Sequence, residues 1–283
     1  MYKIYKYRFK DLPVVTRDLI KYISRYSGEI RVTLSLGYNY ESICREDDLI
    51  RVRGFEYDLT HLNSLIKGGF VYALDGDKVY PIAFFRGSFY YKLYPVAMDK
   101  APTVEVSGIK MHRVVDIDPW KDAYSKVSVL NIHGGDVVLD ICTGLGYTAI
   151  NAYRRGGNVL TIEVDKNILE IASYNPWSSE LKDIKIILGD ATEVIKTLPD
   201  NYYDVIIHDP PRLSRAGELY SREFYSELYR VLRRGGRLFH YTGKVGYKRR
   251  RLNISGGVAS RLTKVGFKVH QRRDLLGVYA VKR

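Results

Sequence analysis

No feature of this 283-residue chain constrains its fold more than the alternation that begins at Asp136. Val137 to Ile141, Val159 to Glu163, Ile184 to Leu188, Asp204 to His208 and Arg237 to Tyr241 are apolar runs of strand length. Tyr147 to Arg155, Lys166 to Tyr174, Glu218 to Leu232 and Val258 to Val265, set among them, have helical spacing. Strands that are apolar throughout need helices on both faces, which is the environment of a parallel sheet. The close differs, because Phe267 to Arg272 and Val278 to Lys282 follow each other with only Asp274-Leu275-Leu276-Gly277 between. The expected fold class is α/β, a seven-stranded sheet ending in an antiparallel hairpin.

The first third has a different texture. Leu12 to Tyr26 is spaced as a helix, Glu29 to Leu36 and Leu49 to Tyr57 alternate as strands, and Asp58 to Ile66 makes a short helix closed by Gly68-Gly69. Val71 to Leu74 and Val79 to Phe85 form a hairpin turned at Gly76, and Phe89 to Tyr94 is a further strand. Pro95, Pro102 and Gly108 mark a linker, and Pro119 opens a helix to about Leu130. The expected division is a small α+β domain over 1–105, with a substrate-recruiting role, and the α/β domain over 106–283.

Hydrophobic residues at 46% and charged residues at 27% are the profile of a globular protein. No run of eighteen apolar residues occurs and the start lacks the apolar core of a signal peptide, so neither a membrane partner nor export is expected, and the location is cytoplasmic. Cys44 and Cys142, one in each half, can build neither a disulfide framework nor a zinc cluster, so no metal is expected. A single glutamine, Gln271, fits a thermophile. The net charge of +13 is concentrated. Arg233 to Arg273 holds thirteen Lys or Arg and no acid, a footprint that suits a polyanion.

The first strand runs into Asp140-Ile141-Cys142-Thr143-Gly144-Leu145-Gly146-Tyr147, where Gly144 and Gly146 permit a tight turn and close backbone approach to a ligand. The third glycine of a dinucleotide fingerprint is missing, and the turn resembles the first motif of methyltransferases. Glu163 ends the next strand about twenty residues on, where a carboxylate accepts from both ribose hydroxyls; Asp165 is the rival position. Asp190, followed by Ala191, ends the third and can accept from an adenine amino group. Any one of these acids in isolation is more simply a helix cap, but three successive strand ends line the side of an open α/β sheet where ligands bind. Asp140, Thr143, Gly144, Gly146, Glu163, Asp190 and Ala191 are the expected cofactor residues.

Gly135 to Asp140 with Cys142 to Ala149, Asn175-Pro176-Trp177-Ser178, His208-Asp209-Pro210-Pro211-Arg212, Ala216 to Ser221 and Gly235 to Tyr241 resemble a family of archaeal methyltransferases. The resemblance continues upstream through Ala101-Pro102-Thr103, Gly108-Ile109, Met111-His112-Arg113 and Asp118-Pro119-Trp120. It implies a Rossmann-like class I methyltransferase fold and S-adenosyl-L-methionine as cofactor.

Asp209-Pro210-Pro211 is similar to the acidic-Pro-Pro-aromatic motif of enzymes that methylate exocyclic amines of nucleobases. Such an amine delocalises its lone pair into the ring, and a carboxylate and a carbonyl accepting its two N–H bonds help it rehybridise. The prolines keep nearby carbonyls free of competing donors. Arg212 replaces the aromatic residue, and stacks on a base or binds phosphate instead. Substitute stacking groups come from Tyr220, Phe224, Tyr225 or His240-Tyr241, with helix packing the simpler reading for Phe224 and Tyr225 and a rim histidine without chemistry for His240; Lys248, Arg249, Arg250 and Arg251 are phosphate contacts. The expected activity is methylation of RNA, ribosomal or transfer, at cytidine N4 ahead of guanosine N2 or adenosine N6. The alternatives are methyl or aminopropyl transfer to a small-molecule amine, and a non-enzymatic RNA-binding scaffold, which the intact glycines and acids argue against.

Overall fold

The structure, a computed structural model, describes residues 2–243 and 253–283. Contacts divide the chain into two compact units, one of Met1–Tyr7, Asp122–Lys166 and Leu181–Arg283, the other of Arg8–Lys121 and Asn167–Glu180. Against the expected division at 105/106, the smaller unit takes in 106–121 and 167–180 and yields the first seven residues.

The larger unit is built on one eight-stranded sheet. Its strands are β1 (Lys3–Tyr5), β2 (Val137–Ile141), β3 (Asn158–Glu163), β4 (Lys185–Leu188), β5 (Tyr203–His208), β6 (Leu232–Tyr241), β7 (Phe267–Arg272) and β8 (Gly277–Lys282). The order is β1-β4-β3-β2-β5-β6-β8-β7. The five strands from β4 to β6 are parallel, and β8 enters antiparallel between β6 and β7. Seven strands were expected. The eighth, β1, pairs antiparallel with β4 from Lys3 against Leu188 to Tyr5 against Ile186, and three residues are too few to carry a periodicity.

The helices of this unit are α1 (Pro119–Ser128), α2 (Tyr147–Tyr153), α3 (Lys166–Ala172), α4 (Ala191–Val194), α5 (Arg222–Val231) and α6 (Ile254–Val265), α1 and α3 each running across a unit boundary. Alternate residues of the strands face opposite layers. Leu139, Ile141, Ile206 and Leu238 pack with Val194, Leu228, Val258 and Leu262 of α4 to α6, while Val138, Val205, Ile207 and Phe239 pack with Val127 of α1 and Ala152 of α2. Burial of both faces is why these strands are apolar throughout. Ile141 lies beside both Ile162 and His208, Glu163 beside Leu188, and His208 beside His240, so the parallel strands end at one edge.

The smaller unit holds two four-stranded sheets, a three-stranded sheet and the helices Arg17–Ile23 and Leu59–Leu65. Thr16 and Asp58 cap those helices by accepting from Leu19 and His61 N–H groups. The helix expected from Leu12 starts only after Thr16, because Val14–Val15 is drawn into a strand beside Tyr72–Asp75. The strand expected over Leu49 to Tyr57 is a hairpin folded at Arg53-Gly54, both at positive φ. The presumed linker holds the strands Thr103–Val106 and Ile109–Lys110, turned at Ser107-Gly108 in the same conformation. Among the described residues no helix is long and apolar enough to cross a membrane.

Candidate active site

The turn after β2 is held by the strand beside it. Cys142 and Thr143 both donate N–H to the Ile162 carbonyl, at 3.0 and 3.1 Å, and Gly146 donates to Thr143 O at 2.7 Å before starting α2. Cys142 (φ 73°), Gly144 (φ 55°) and Gly146 (φ 81°) are all left-handed. A Cβ on Gly146 would meet the Leu181 side chain at 2.6 Å, so packing as well as φ demands glycine there. Cys142 has no such freedom, and its strain sits at the site, as backbone strain often does.

Under the turn lies a buried polar ladder. The Thr161 hydroxyl donates to Asp140 Oδ2 at 2.6 Å, leaving the Thr143 hydroxyl to donate to Thr161 at 2.6 Å. Asp140 is fully buried, and burial pushes its carboxyl up to about 7 against the pull of Thr161 and Thr148. It braces the turn from within and presents no exposed surface to a ligand. Glu163 ties strand to turn: Oε1 accepts from the N–H groups of Val164 and Asp165, both at 3.0 Å, and Oε2 accepts from Gly144 at 2.9 Å. Burial raises its carboxyl and those three donors oppose the shift. Oε1 has both lone pairs taken, and Oε2 retains one for a hydroxyl. Val164, 67% exposed, is an apolar neighbour of this carboxylate that sequence reasoning missed; a lone valine among acids gives no pattern. Asp190 caps α4, with Oδ1 accepting from Thr192 N–H and hydroxyl at 2.8 and 2.7 Å, and Ala191 opens that helix.

Beyond β5, Asp209 N–H reaches Ile141 O at 3.4 Å, placing the Asp209-Pro210-Pro211 segment next to the turn's strand. Asp209 Oδ2 accepts from Lys126 Nζ at 2.7 Å, and the Tyr220 hydroxyl donates to Pro211 O at 2.9 Å. Lys126 was not foreseen; the signal was Asp122 and Lys126 four apart on one face of α1. Arg212 is exposed.

Phe224 packs in the interior, as its helix-packing reading has it, and His240, expected at the rim, is corrected to an interior position. His240 is fully buried, its ring 4.3 Å from His208 and its Nε2 2.9 Å from the Tyr225 hydroxyl. Phe224 packs at 5.3 Å on His208. His208 Nε2–H donates to Leu219 O at 3.0 Å, and burial lowers His208 to about 4 and His240 well below its ordinary value. Lys248, Arg249, Arg250 and Arg251 lie outside the described residues. The remaining basic stretch is less one-signed in space than in sequence, since Arg233, Arg237 and Arg272 pair with Asp204, Asp136 and Asp274. Among the described residues no cluster of three or more metal-ligating side chains occurs.

The sheet order, the glycine turn and a carboxylate at the end of the second parallel strand define a class I S-adenosylmethionine-dependent methyltransferase domain, and residues 138–236 match the family described as methyltransferase domain. The chain is 50% identical to the Methanocaldococcus jannaschii protein MJ1233 over 217 residues, 76% of this chain and 74% of that one. It belongs to the same family. Shorter stretches are similar to polyamine aminopropyltransferase 2 of Streptomyces coelicolor (33% identity; 38% of this chain, 22% of that one) and to a probable ribosomal RNA small subunit methyltransferase A of Pyrococcus abyssi (37% identity; 26% and 27%). In fold it resembles spermidine synthase in complex with AdoDATO, with a TM-score of 0.58 at 19% identity, covering 73% of this chain and 77% of that one.

The donor set fits the cofactor. A left-handed glycine turn at a helix start permits close backbone approach, Glu163 Oε2 offers an acceptor position to a hydroxyl, and Val164 an apolar surface. Thr143, Gly144 and Gly146 would hold the methionine end, Glu163 the ribose, and Asp190 and Ala191 the adenine.

Proposed function

We propose that this protein N-methylates an exocyclic amino group of an RNA base, with cytidine N4 favoured over guanosine N2 and adenosine N6. The observation that carries this reading is the rim at the end of β5, where Asp209 keeps a partly exposed carboxylate beside two prolines and the Tyr220 hydroxyl holds the Pro211 carbonyl. S-adenosylmethionine supplies a methyl carbon on a positively charged sulfur that leaves as a neutral thioether. The chain's own task is to hold the amine in line and to accept its N–H bonds as the nitrogen turns tetrahedral, after which that nitrogen sheds one proton. Asp209 supplies a carboxylate acceptor, and Pro210 the neighbouring carbonyl. Arg212 supports binding of a phosphate or a base face.

A second reading, aminopropyl or methyl transfer to a small amine, is favoured by the partial similarity to an aminopropyltransferase. A polyamine needs a cleft lined by carboxylates, whereas here the nearest partner of Asp209 is a lysine ammonium. Nucleoside mass spectrometry of RNA incubated with enzyme and S-adenosylmethionine tests the choice, run beside a polyamine extract with the decarboxylated cofactor. A methylated cytidine, guanosine or adenosine is expected. A new polyamine with unmodified RNA would reverse the assignment.

A further inference from the structure

Asp209 is held by a buried cation that the Asp-Pro-Pro motif does not account for. Lys126 and Asp122 stand one turn apart on α1 with side chains 5% exposed, whereas the Asp209 side chain is 21% exposed. The Lys126 ammonium lies 2.8 Å from Asp122 Oδ2, 2.7 Å from Asp209 Oδ2 and 3.8 Å from the centre of the Tyr241 ring. Its three N–H bonds are thus directed at two carboxylates and an aromatic face, and none is left for a substrate. Burial pushes its pKa down, and the Asp209 and Asp122 carboxylates outweigh burial and raise it above an ordinary lysine.

A buried ion triad is a poor device for stability, because apolar residues of the same volume often serve as well. Its layout gives another reason for its presence. The chain of charges runs from the interior to the rim, and its most open end is the carboxylate that meets the amine. We propose that Lys126 is a positioning residue: anchored by Asp122 and Tyr241, it engages Oδ2 of Asp209 and so fixes Oδ1 as the oxygen presented to the acceptor amine. The inference rests on the reading of Asp209 as the amine acceptor.

The test uses the full chain and its Lys126→Gln, Lys126→Arg and Asp122→Asn variants. Methyl transfer is followed from labelled S-adenosylmethionine into total cell extract, fractionated afterwards into RNA, protein and small molecules. S-adenosylhomocysteine affinity is measured by calorimetry in parallel. Lys126→Gln should lower kcat about a hundredfold, the scale of a misplaced catalytic group, while KM for the acceptor and cofactor affinity stay within about threefold. Lys126→Arg should recover to within about tenfold of the parent, because a guanidinium can bridge the same two carboxylates. Should Lys126→Gln fail to fold, Asp122→Asn, which keeps the Lys126–Asp209 pair but loosens its anchor, should still lower kcat several-fold with cofactor affinity unchanged. A folded, cofactor-binding Lys126→Gln with the parent's kcat overturns the proposal, as does an Arg variant no better than Gln, or an Asp122→Asn at parental kcat where Gln does not fold. Label entering small molecules rather than RNA overturns the RNA reading and leaves the comparison of variants standing. A parent that labels no fraction overturns both.

Discussion

At the scale of single residues, the site acids differ by what surrounds them. Glu163 is both a candidate ribose acceptor and the partner of three backbone N–H groups, so Glu163→Ala should abolish cofactor binding and also cost about 1–3 kcal/mol through stranded donors. Glu163→Gln, whose amide oxygen can still accept, should lose affinity with a smaller stability loss. Calorimetry and urea unfolding on the two variants separate the roles; equal stability in both would deny the brace. His208 makes a different prediction. Held neutral at about 4 when folded and at an ordinary value of 6.5 when unfolded, it takes up a proton preferentially in the unfolded chain, so its contribution is complete above pH 6.5 and declines as pH falls toward 4. Asp140, raised from 3.8 to about 7, slopes the opposite way over nearly the same window, losing stability as pH rises. The two are separable only by difference. His208→Asn, which can still donate to Leu219 O and cannot titrate, should gain on the parent by up to about 3 kcal/mol between pH 6.5 and 4. Parallel unfolding curves across that range would exclude the buried neutral histidine.

At the scale of elements, legibility followed the reach of the interactions. The parallel strands could be read because burial on both faces leaves continuous apolar runs, and the glycine turn because left-handed φ selects residue type locally. Lys126 and its partner Asp209 lie 83 residues apart, a distance no periodicity spans. The smaller unit was misread where tight hairpins hide inside strand-like runs, as at Arg53-Gly54, because arginine at positive φ leaves no compositional sign. His240 was misplaced for another reason: a polar residue at a strand end suggests a rim, but Tyr225, Tyr220 and His208 close over it. Two glycines separate backbone conformation from packing. Gly54 has φ +87° and open space where a Cβ would go, whereas Gly146 has φ +81° and Leu181 at 2.6 Å. Gly54→Ala should therefore cost about 1 kcal/mol and leave cofactor affinity alone. Gly146→Ala should cost at least twice as much, by roughly the penalty of overpacking, and weaken cofactor binding. Urea midpoints with matched calorimetry decide this, and equal losses in the two variants would mean that Leu181 yields freely.

At the scale of the whole molecule, the charge is divided as sharply as the contacts. The smaller unit has seventeen Lys or Arg against seventeen Asp or Glu, so the larger unit carries the entire excess of +13. An RNA substrate would then be attracted chiefly to the unit that holds Asp209. Within that unit the basic residues are not equivalent. Arg272 is engaged by Asp274, and a cation already paired releases few counterions when a phosphate approaches. Lys248, Arg249, Arg250 and Arg251 stand consecutively in the sequence between β6 and α6, outside the described residues. Replacing all four with alanine should weaken RNA binding, leave cofactor affinity untouched, and reduce the slope of log affinity against log salt by about three, since each contact to single-stranded nucleic acid releases roughly 0.7 of a counterion. Arg272→Ala, one charge of the same stretch, should leave the slope unchanged within error. Filter binding from low to moderate salt measures both. A slope unaltered by the fourfold change would make these residues ordinary solvated surface and shift the balance toward a small-molecule amine.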